Sequence, residues 1–213
     1  MMEKPFHQLI QWISGLNIFL RNKKPIRDKV VSALLYGFGL SSRKTKPFVK
    51  ASHVSVLDWY RRLSQAVGRI RPQYREAIAV DETKLRVKGK YVYVWVAMDI
   101  KTREVIAVRV SLSRSSLEAY FFLSNVRRRC LNRARLITDK GPWYNGWTCR
   151  GFKHEHRTFG ERNCVEQWFG LLKRRTKSFC NNINAKSLDS GIKRLEEWVR
   201  SFAVIYNWFM GLS

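Results

Sequence analysis

The chain has 213 residues, of which 41 are Lys or Arg and only 16 are Asp or Glu, so its formal net charge is +25 at pH 7. A hydrophobic fraction of 45% and eight Trp residues are enough for a buried core, which excludes global disorder. The length allows one ordinary domain plus a small additional module. So large a positive charge on a folded chain indicates a polyanionic partner, nucleic acid first, because each neutralised phosphate releases counterions. A basic surface that only aids solubility and a ribosomal-type structural role are the alternatives.

The cysteines and the N-terminal stretch bear on the compartment. The four Cys residues stand far apart and form no CxxC pair, which argues against a zinc ribbon and a disulfide framework: Cys130, Cys149, Cys164 and Cys180. The apolar stretch at 6–20 is interrupted by polar residues, so it predicts neither a signal peptide nor a membrane span. We therefore expect a cytoplasmic protein with no membrane partner, and we assign no role to residues 1–26.

Residues 27–68 have a helical pattern and predict a small, all-helical helix-turn-helix module. Its first helix ends at Gly39, a short second helix is expected at 46–51, and a third begins at Ser52 or Ser55. The third helix has one apolar face at helical spacing: Val56, Tyr60, Leu63 and Val67. Its other sides present candidate DNA contacts: His53, Arg61 and Arg62. Three helices that only pack together would give the same pattern, and the turn lacks the expected glycine.

From residue 77 onward the hydrophobic period changes from helical to alternating. Three strands are expected in direct succession, at 79–87, 91–98 and 105–110. A helix over 115–131, a short strand at 135–138 and amphipathic helices at 161–179 and 187–209 follow. This order of elements is that of the ribonuclease-H-like α/β fold, so 77–213 is predicted to form a mixed sheet flanked by helices. Other α+β domains share the pattern.

Three acidic residues are placed where two-metal phosphoryl transfer would need them, because that chemistry requires carboxylates converging from separate elements. Asp81 lies in the first strand, Asp139 follows the fourth, and Glu166 lies on the next helix. Glu166, Lys173 and Lys177 form one column on that helix, which suits a metal ligand beside a DNA backbone. Taken singly, the three acids have ordinary alternatives, namely an edge-strand carboxylate, a turn former and a solvated helix flank.

Three segments resemble motifs of one protein family: 79–83 (AVDET), 138–144 (TDKGPWY) and 162–169 (RNCVEQWF). They are similar to the DDE transposases of bacterial and archaeal insertion sequences, in particular the short insertion-sequence-six type seen in archaea. The segments 172–177 (LKRRTK) and 179–182 (FCNN) also resemble that type. The similarity covers about residues 30–210, and several motifs in the same order are more specific than any one of them.

The resemblance implies that Asp81, Asp139 and Glu166 are the catalytic, metal-binding triad, and that Lys173 is the basic residue two helical turns after the glutamate. All-carboxylate ligation favours two Mg²⁺ or Mn²⁺ ions. The implied reaction is nicking at transposon ends, followed by attack of the freed 3′-hydroxyl on target DNA. The implied partners are double-stranded DNA and further copies of the chain, as a homodimer or larger. Only 26 residues separate Asp139 from Glu166, fewer than in many relatives, which we interpret as a trimmed loop.

Other candidate residues have weaker support. Glu82 lies on the opposite strand face from Asp81, so we expect it to be structural or solvated. His154 and His156 share a strand face as a zinc pair would, but no further ligand stands at the right spacing. Three tryptophans could either stack on unpaired bases or pack in the core: Trp143, Trp147 and Trp168. The basic run at 127–135 suits either phosphate contacts or a solvated helix end.

The leading hypothesis is therefore an active transposase. A DNA-binding protein that keeps the fold without catalysis, such as a decayed copy or a repressor of its element, is the main alternative. A host ribonuclease-H-like nuclease or resolvase is the third, and the predicted helix-turn-helix disfavours it because recognition of specific ends is a transposase need.

Overall fold

The computed structural model describes residues 3–19, 23–157, 160–179, 182–183 and 185–211. Three predicted features reach beyond these ranges: Leu20 in the apolar stretch, the cysteine Cys180, and Asn181 in the motif at 179–182. The other three cysteines are free and buried. Within the described ranges, no helix is both long and apolar enough to cross a membrane.

Helices precede the sheet, as predicted. They are α1 (Glu3–Gly15), α2 (Ile26–Gly37), α3 (His53–Arg62) and the single turn α4 (Ser64–Val67). Helix α3 begins after Ser52, whose side-chain oxygen accepts a hydrogen bond from the backbone N–H of Ser55. This N-cap satisfies one of the backbone donors that the first helical turn leaves unpaired. Ser52, not Ser55, is therefore the residue at which the third predicted helix starts.

The second helix predicted at 46–51 is wrong. Residues 42–48 form consecutive turns instead, in which Phe48 and Val49 both donate their backbone N–H to the carbonyl of Thr45. Ser52 needs an extended backbone in order to cap α3, so a helix that began at residue 46 would have to end before it. A segment of only a few residues cannot recover the cost of starting a helix.

The sheet has the mixed topology predicted from the order of elements. β1 (Ala77–Val87), β2 (Lys90–Asp99) and β3 (Val105–Ser111) form an antiparallel meander. β4 (Arg135–Thr138) and β5 (Lys153–His156) follow on the other side of β1, both in parallel pairing, which gives the order β3-β2-β1-β4-β5. The short β6 (Asn182–Ile183) pairs with the end of β1. This is a ribonuclease-H-like sheet.

Both hairpin turns have clear local causes. Lys88 and Gly89 have φ angles of 50° and 76°, the left-handed backbone that a two-residue hairpin of this twist requires. At the second turn the carboxylate of Asp99 accepts hydrogen bonds from the backbone of Lys101 and Thr102. Arg75, which is fully buried, forms ion pairs of 2.9 Å with Asp99 and 2.8 Å with Glu104 across that turn.

Helices cover both faces of the sheet. α5 (Ser116–Arg127) packs on the face that contains Ile78 and Val80. α6 (Asn163–Thr176) and α7 (Leu188–Phe209) pack on the opposite face, with Ala79 and Leu85. Two predicted helices are shorter than expected, because α5 ends at Arg127 and a 3₁₀ turn (Lys177–Phe179) follows α6.

The N-terminal helices share the core of α6 and α7. The apolar face predicted for α3 and α4 is buried as expected, with all four residues at most 3% exposed: Val56, Tyr60, Leu63 and Val67. Leu9 and Ile13 of α1 belong to the same cluster, and Trp12 stacks on Trp208 of α7 at 5.8 Å. Part of the stretch to which the sequence assigned no role, Leu9 to Ile13 of α1, therefore extends the core beside α7.

A close approach between α7 and β1 gives a stability test. A Cβ added to Gly191 would lie 2.3 Å from Cγ1 of Val87, whereas one added to Gly170 in α6 would meet no atom within 4 Å. Gly191→Ala should lower the free energy of unfolding by about 1–3 kcal/mol through overpacking. Gly170→Ala should raise it by up to about 1 kcal/mol, because alanine favours a helix over glycine. Urea unfolding of both variants measures these changes in the free energy of unfolding. Equal stabilisation by the two substitutions would contradict the close packing of Gly191 on Val87.

Candidate active site

Asp81 takes its place from the alternation of β1. It lies opposite Val96 of β2, on the sheet face that α6 and α7 cover, and its side chain is 14% exposed. Its Oδ1 accepts a hydrogen bond of 2.9 Å from the backbone N–H of Glu82. A carboxylate this enclosed on a central strand has lost most of its water, so it needs charged or hydrogen-bonding partners.

Asp139 lies beside Asp81 because of the strand register. β4 runs parallel to β1 with Ile137 paired to Ala79; Asp81 follows Ala79 by two residues within β1, and Asp139 follows Ile137 by two residues, directly after the end of β4. The loop after β4 holds the Asp139 carboxylate, since the backbone N–H of Gly141 donates to its Oδ1 at 2.9 Å. A Cβ on Gly141 would lie 2.9 Å from that same oxygen, so the close turn requires glycine.

The pKa of Asp81 reports on its surroundings. Burial raises this pKa above its usual range, the guanidinium of Arg162 opposes the rise, and the carboxylate of Asp139 adds to it. The β1–β4 register thus brings the two aspartates near enough for their charges to repel. Two carboxylates in one place favour binding of a cation between them.

Glu166 is on α6, as predicted, and its side chain is half exposed. The apolar stripe beside it is buried: Val165, Trp168, Phe169 and Leu172. Glu166 and Lys173 lie on the exposed side of α6, and Lys177 is exposed in the 3₁₀ turn beyond. The predicted column of one carboxylate and two lysines is therefore open to solvent.

Arg162 is the residue that the sequence analysis missed. It stands just before α6, and its Nη2 lies 3.0 Å from Oδ2 of Asp81 and 3.7 Å from Oε1 of Glu166. Its side chain is only 7% exposed. The signal was present in the sequence, because an arginine four residues before a helical glutamate lies on the same helix side. Nothing in the spacing indicated that the arginine would reach Asp81.

Glu82 is buried rather than solvated, and of the two expectations only the structural one is confirmed. Its side chain is 2% exposed, and it accepts a hydrogen bond of 2.8 Å from the hydroxyl of Tyr144. Arg114 lies 3.3 Å from its other oxygen and stacks on the ring of Trp143. Burial raises the pKa of Glu82, and the Tyr144 hydrogen bond opposes that rise. Glu82 thus ties the loop that follows Asp139 to the central strand.

The two histidines of β5 support Asp139. His156 lies with Nδ1 2.8 Å from the carbonyl oxygen of Asp139, and His154 lies with Nε2 2.8 Å from the hydroxyl of Thr138. Their rings contact each other edge to face. These contacts place both histidines beside the end of β4.

The three candidate tryptophans differ in how exposed they are. Trp168 is buried in the core and Trp143 is partly buried, whereas Trp147 is 53% exposed and stacks on Tyr120 at 4.6 Å.

Several arginines of the basic run at 127–135 form hydrogen bonds with other groups of the protein: Arg127, Arg129, Arg133 and Arg135. These arginines are therefore engaged within the fold.

The candidate DNA contacts of α3 differ in whether their side chains already bond to other groups of the protein. His53 is exposed at the start of the helix. Arg62 forms an ion pair of 2.7 Å with Asp58, and Arg61 donates from Nε to the carbonyl of Leu57. The carbonyl of Arg61 also accepts a hydrogen bond of 3.4 Å from the hydroxyl of Ser201 in α7, so this end of α3 lies against α7.

The donor set has the chemistry of a magnesium or manganese site, since carboxylate oxygens are the ligands that these ions prefer. Its arrangement is incomplete. Among the residues whose placement is described, no group of three or more His, Cys, Asp or Glu side chains is close enough to hold a metal ion. Asp81 and Asp139 follow a pair of registered residues in β1 and β4, while Nη2 of Arg162 contacts both Asp81 and Glu166.

The order of motifs, the sheet topology and the paired aspartates agree with one family. A family model described as a DDE domain, that of the IS240-type transposases, matches residues 75–205. The chain belongs to this family. The match spans β1 to most of α7 and includes all three acidic residues, so residues 75–205 form a DDE-type catalytic domain of ribonuclease-H-like fold.

Relatives and solved structures extend the comparison. An uncharacterized protein of Methanocaldococcus jannaschii is 38% identical over 203 residues, 92% of each chain. An uncharacterized protein of Aquifex aeolicus is 39% identical over 89 residues, 40% of this chain and 66% of that one. The HTLV-2 integrase catalytic core in complex with magnesium has a TM-score of 0.41 at 19% identity, over 58% of this chain and 85% of that one. The catalytic core of BIV integrase has a TM-score of 0.42 at 16% identity, over 58% and 81%.

The Glu82–Tyr144 hydrogen bond can be tested by a double-mutant cycle. Tyr144→Phe leaves a buried carboxylate without its hydroxyl donor, so it should lower the free energy of unfolding by about 1–3 kcal/mol at pH 7. The same change in a Glu82→Gln background should cost less, because the acceptor is then uncharged. Tyr74→Phe is the matched control, since Tyr74 is 80% exposed. Equal losses for Tyr144→Phe in the two backgrounds would show that the bond to Glu82 does not stabilise the loop.

Proposed function

We propose that the chain is the transposase of an insertion sequence, which binds the terminal inverted repeats of its element, nicks them and joins the freed 3′-hydroxyl to target DNA. The observation that carries this proposal is the strand register that sets Asp139 beside Asp81, with Glu166 exposed on α6 nearby. The DDE family match over residues 75–205 supports it, as does the net charge of +25. The proposed catalytic residues are Asp81, Asp139, Glu166 and Lys173.

Two Mg²⁺ or Mn²⁺ ions, when bound, would stabilise the attacking and leaving oxygens of the phosphoryl transfer. The fold of the chain sets where the proposed ligands lie. Backbone pairing between β1 and β4 sets the spacing of Asp81 and Asp139, and the Gly141 N–H orients the second of them. Glu166 would add a third ligand from a helix. Lys173, two helical turns further along the same exposed side of α6, would bind a DNA phosphate next to the reacting strand.

Recognition of the ends is assigned to residues 27–68. Helix α3 would approach the DNA with His53, Arg61 and Arg62, and Lys177 would contact the backbone from the end of α6. The turns at 42–48 stand where the second helix of the motif was expected. Because two ends must be brought together, we propose a homodimer or larger assembly on DNA, acting in the cytoplasm.

One observation favours the second candidate, a DNA-binding protein without catalysis. The three carboxylates do not form a single group in the described structure, and a buried arginine contacts two of them. A repressor or a decayed copy would retain the basic surface and the fold without assembling the site.

Cleavage of a labelled duplex that carries the ends of the source element, with Mg²⁺, separates the two candidates. Wild type should cut at the element boundary and Asp139→Asn should not, because Asn removes the charge of a metal ligand at nearly constant volume. Asp189→Asn, an exposed acid at the start of α7, should cut as wild type does. Binding without cutting by every variant would refute the enzyme and support the repressor. Cutting of unrelated duplexes would indicate a host nuclease.

The role of the α6 lysines is tested by the salt dependence of DNA binding. Each phosphate contact that is lost reduces the slope of log affinity against log salt concentration by about 0.9. Lys173→Ala/Lys177→Ala should therefore reduce the slope by about 2. The control, Lys90→Ala/Lys101→Ala, removes the same charge from exposed hairpin positions and should leave the slope nearly unchanged. Equal reductions in the two double variants would mean that only the overall charge matters.

A further inference from the structure

Arg162 contacts the same carboxylates that are proposed to bind metal. Its Nη2 is 3.0 Å from Asp81 and 3.7 Å from Glu166, so one guanidinium nitrogen serves two of the three proposed ligands. A divalent cation needs the lone pairs of those oxygens and is repelled by a positive charge at this distance. Arg162 and a metal ion therefore compete for Asp81 and Glu166.

The guanidinium has an unsatisfied donor in this arrangement. The Nε of Arg162 is buried and has no hydrogen-bond partner among the described residues, while Nη1 makes only a long contact, 3.4 Å, to the carbonyl of Arg157. Buried polar groups are nearly always paired, so Arg162 would gain a hydrogen bond if it turned to an acceptor that its Nε could reach.

The ligand that suits an arginine fork is a phosphate group. Guanidinium groups bind phosphate oxygens through paired N–H donors, and the surface beside Glu166 already carries Lys173 and Lys177. A DNA backbone drawn to that surface would bring phosphates close to Arg162. An arginine that turned to a phosphate would release Asp81 and Glu166 together.

We propose that Arg162 is a positioning residue that makes metal binding depend on DNA: it occupies Asp81 and Glu166 in the free protein and moves to a DNA phosphate when substrate binds. This inference rests on the proposed function, because it takes the three carboxylates as the metal site. It accounts for the incomplete arrangement of the triad in the free chain. It would also limit metal-dependent cutting to the DNA-bound protein.

The test is the affinity of the full chain for Mn²⁺ without DNA, measured by electron paramagnetic resonance of free Mn²⁺. Arg162→Gln should bind Mn²⁺ about fivefold or more tightly than wild type, because a competing charge near two ligands is removed. Arg157→Gln is the matched control, since Arg157 pairs with Glu155 and Glu161 instead and is half exposed. It loses the same charge and should stay within about twofold of wild type. The Mn²⁺ affinity of Arg162→Lys should fall between those of wild type and Arg162→Gln, because lysine keeps the positive charge but lacks the fork of guanidinium donors.

A second measurement uses the wild type and does not depend on the folding of a variant. A short random duplex should tighten Mn²⁺ binding by wild type, and by reciprocity Mn²⁺ should tighten DNA binding by the same factor. The increase should largely disappear in Arg162→Gln. An arginine that only held α6 in place would give the opposite result, namely weaker Mn²⁺ binding on its removal.

The outcomes separate this inference from the proposed function. If Asp139→Asn loses the ion while Arg162→Gln binds it no more tightly than Arg157→Gln, the role of Arg162 is overturned and the metal site stands. If Asp139→Asn binds Mn²⁺ as wild type does, the metal site itself is wrong and the proposed function fails with it. Tighter binding by Arg162→Gln that Asp139→Asn abolishes supports both.

Discussion

The alternation of side chains along β1 is the constraint on which the rest of the site depends. Successive residues of a strand face opposite sides of the sheet, so Asp81 is turned toward α6 and Glu82 toward the loop that follows β4. β1 is held on one side by β2 and on the other by β4, which leaves its register no freedom to shift. Two adjacent acids thereby serve two purposes: Asp81 faces the proposed metal site, and Glu82 fixes the loop that carries Asp139.

Electrostatics explains how several acids and arginines coexist near one strand. Burial raises the pKa of both Asp81 and Glu82, and the carboxylate of Asp139 acts in the same direction. Arg162 on one face and Arg114 on the other offset part of this repulsion. The site is thus balanced by side-chain cations in the free chain, and a metal ion that joined it would have to take over part of that balance.

The helical region is not attached to the catalytic sheet by a linker alone. α1, α3 and α4 bury their apolar faces in the same core as α6 and α7, and Tyr60 of α3 donates its hydroxyl proton to the carbonyl of Trp198 in α7. Arg175 at the end of α6 bonds to the carbonyls of Tyr36 and Gly37 in α2. The residues proposed to recognise DNA ends are therefore anchored to the helices that pack beside the proposed active site.

Much of this protein follows from the sequence by itself. The alternating and helical periods predict the strands, the order of elements predicts the mixed sheet, and the three motifs indicate the family, because each is a local pattern. The prediction of a helix at 46–51 was wrong, since the extended backbone that Ser52 needs as the N-cap of α3 outweighs a weak helical pattern. Only the tertiary structure decided that Glu82 is buried against Tyr144 and that Arg162 lies between Asp81 and Glu166 in its contacts. The Glu82–Tyr144 and Asp81–Arg162 contacts join residues 62 and 81 positions apart in the chain. No local period carries information about side chains that meet only after the sheet and α6 have packed.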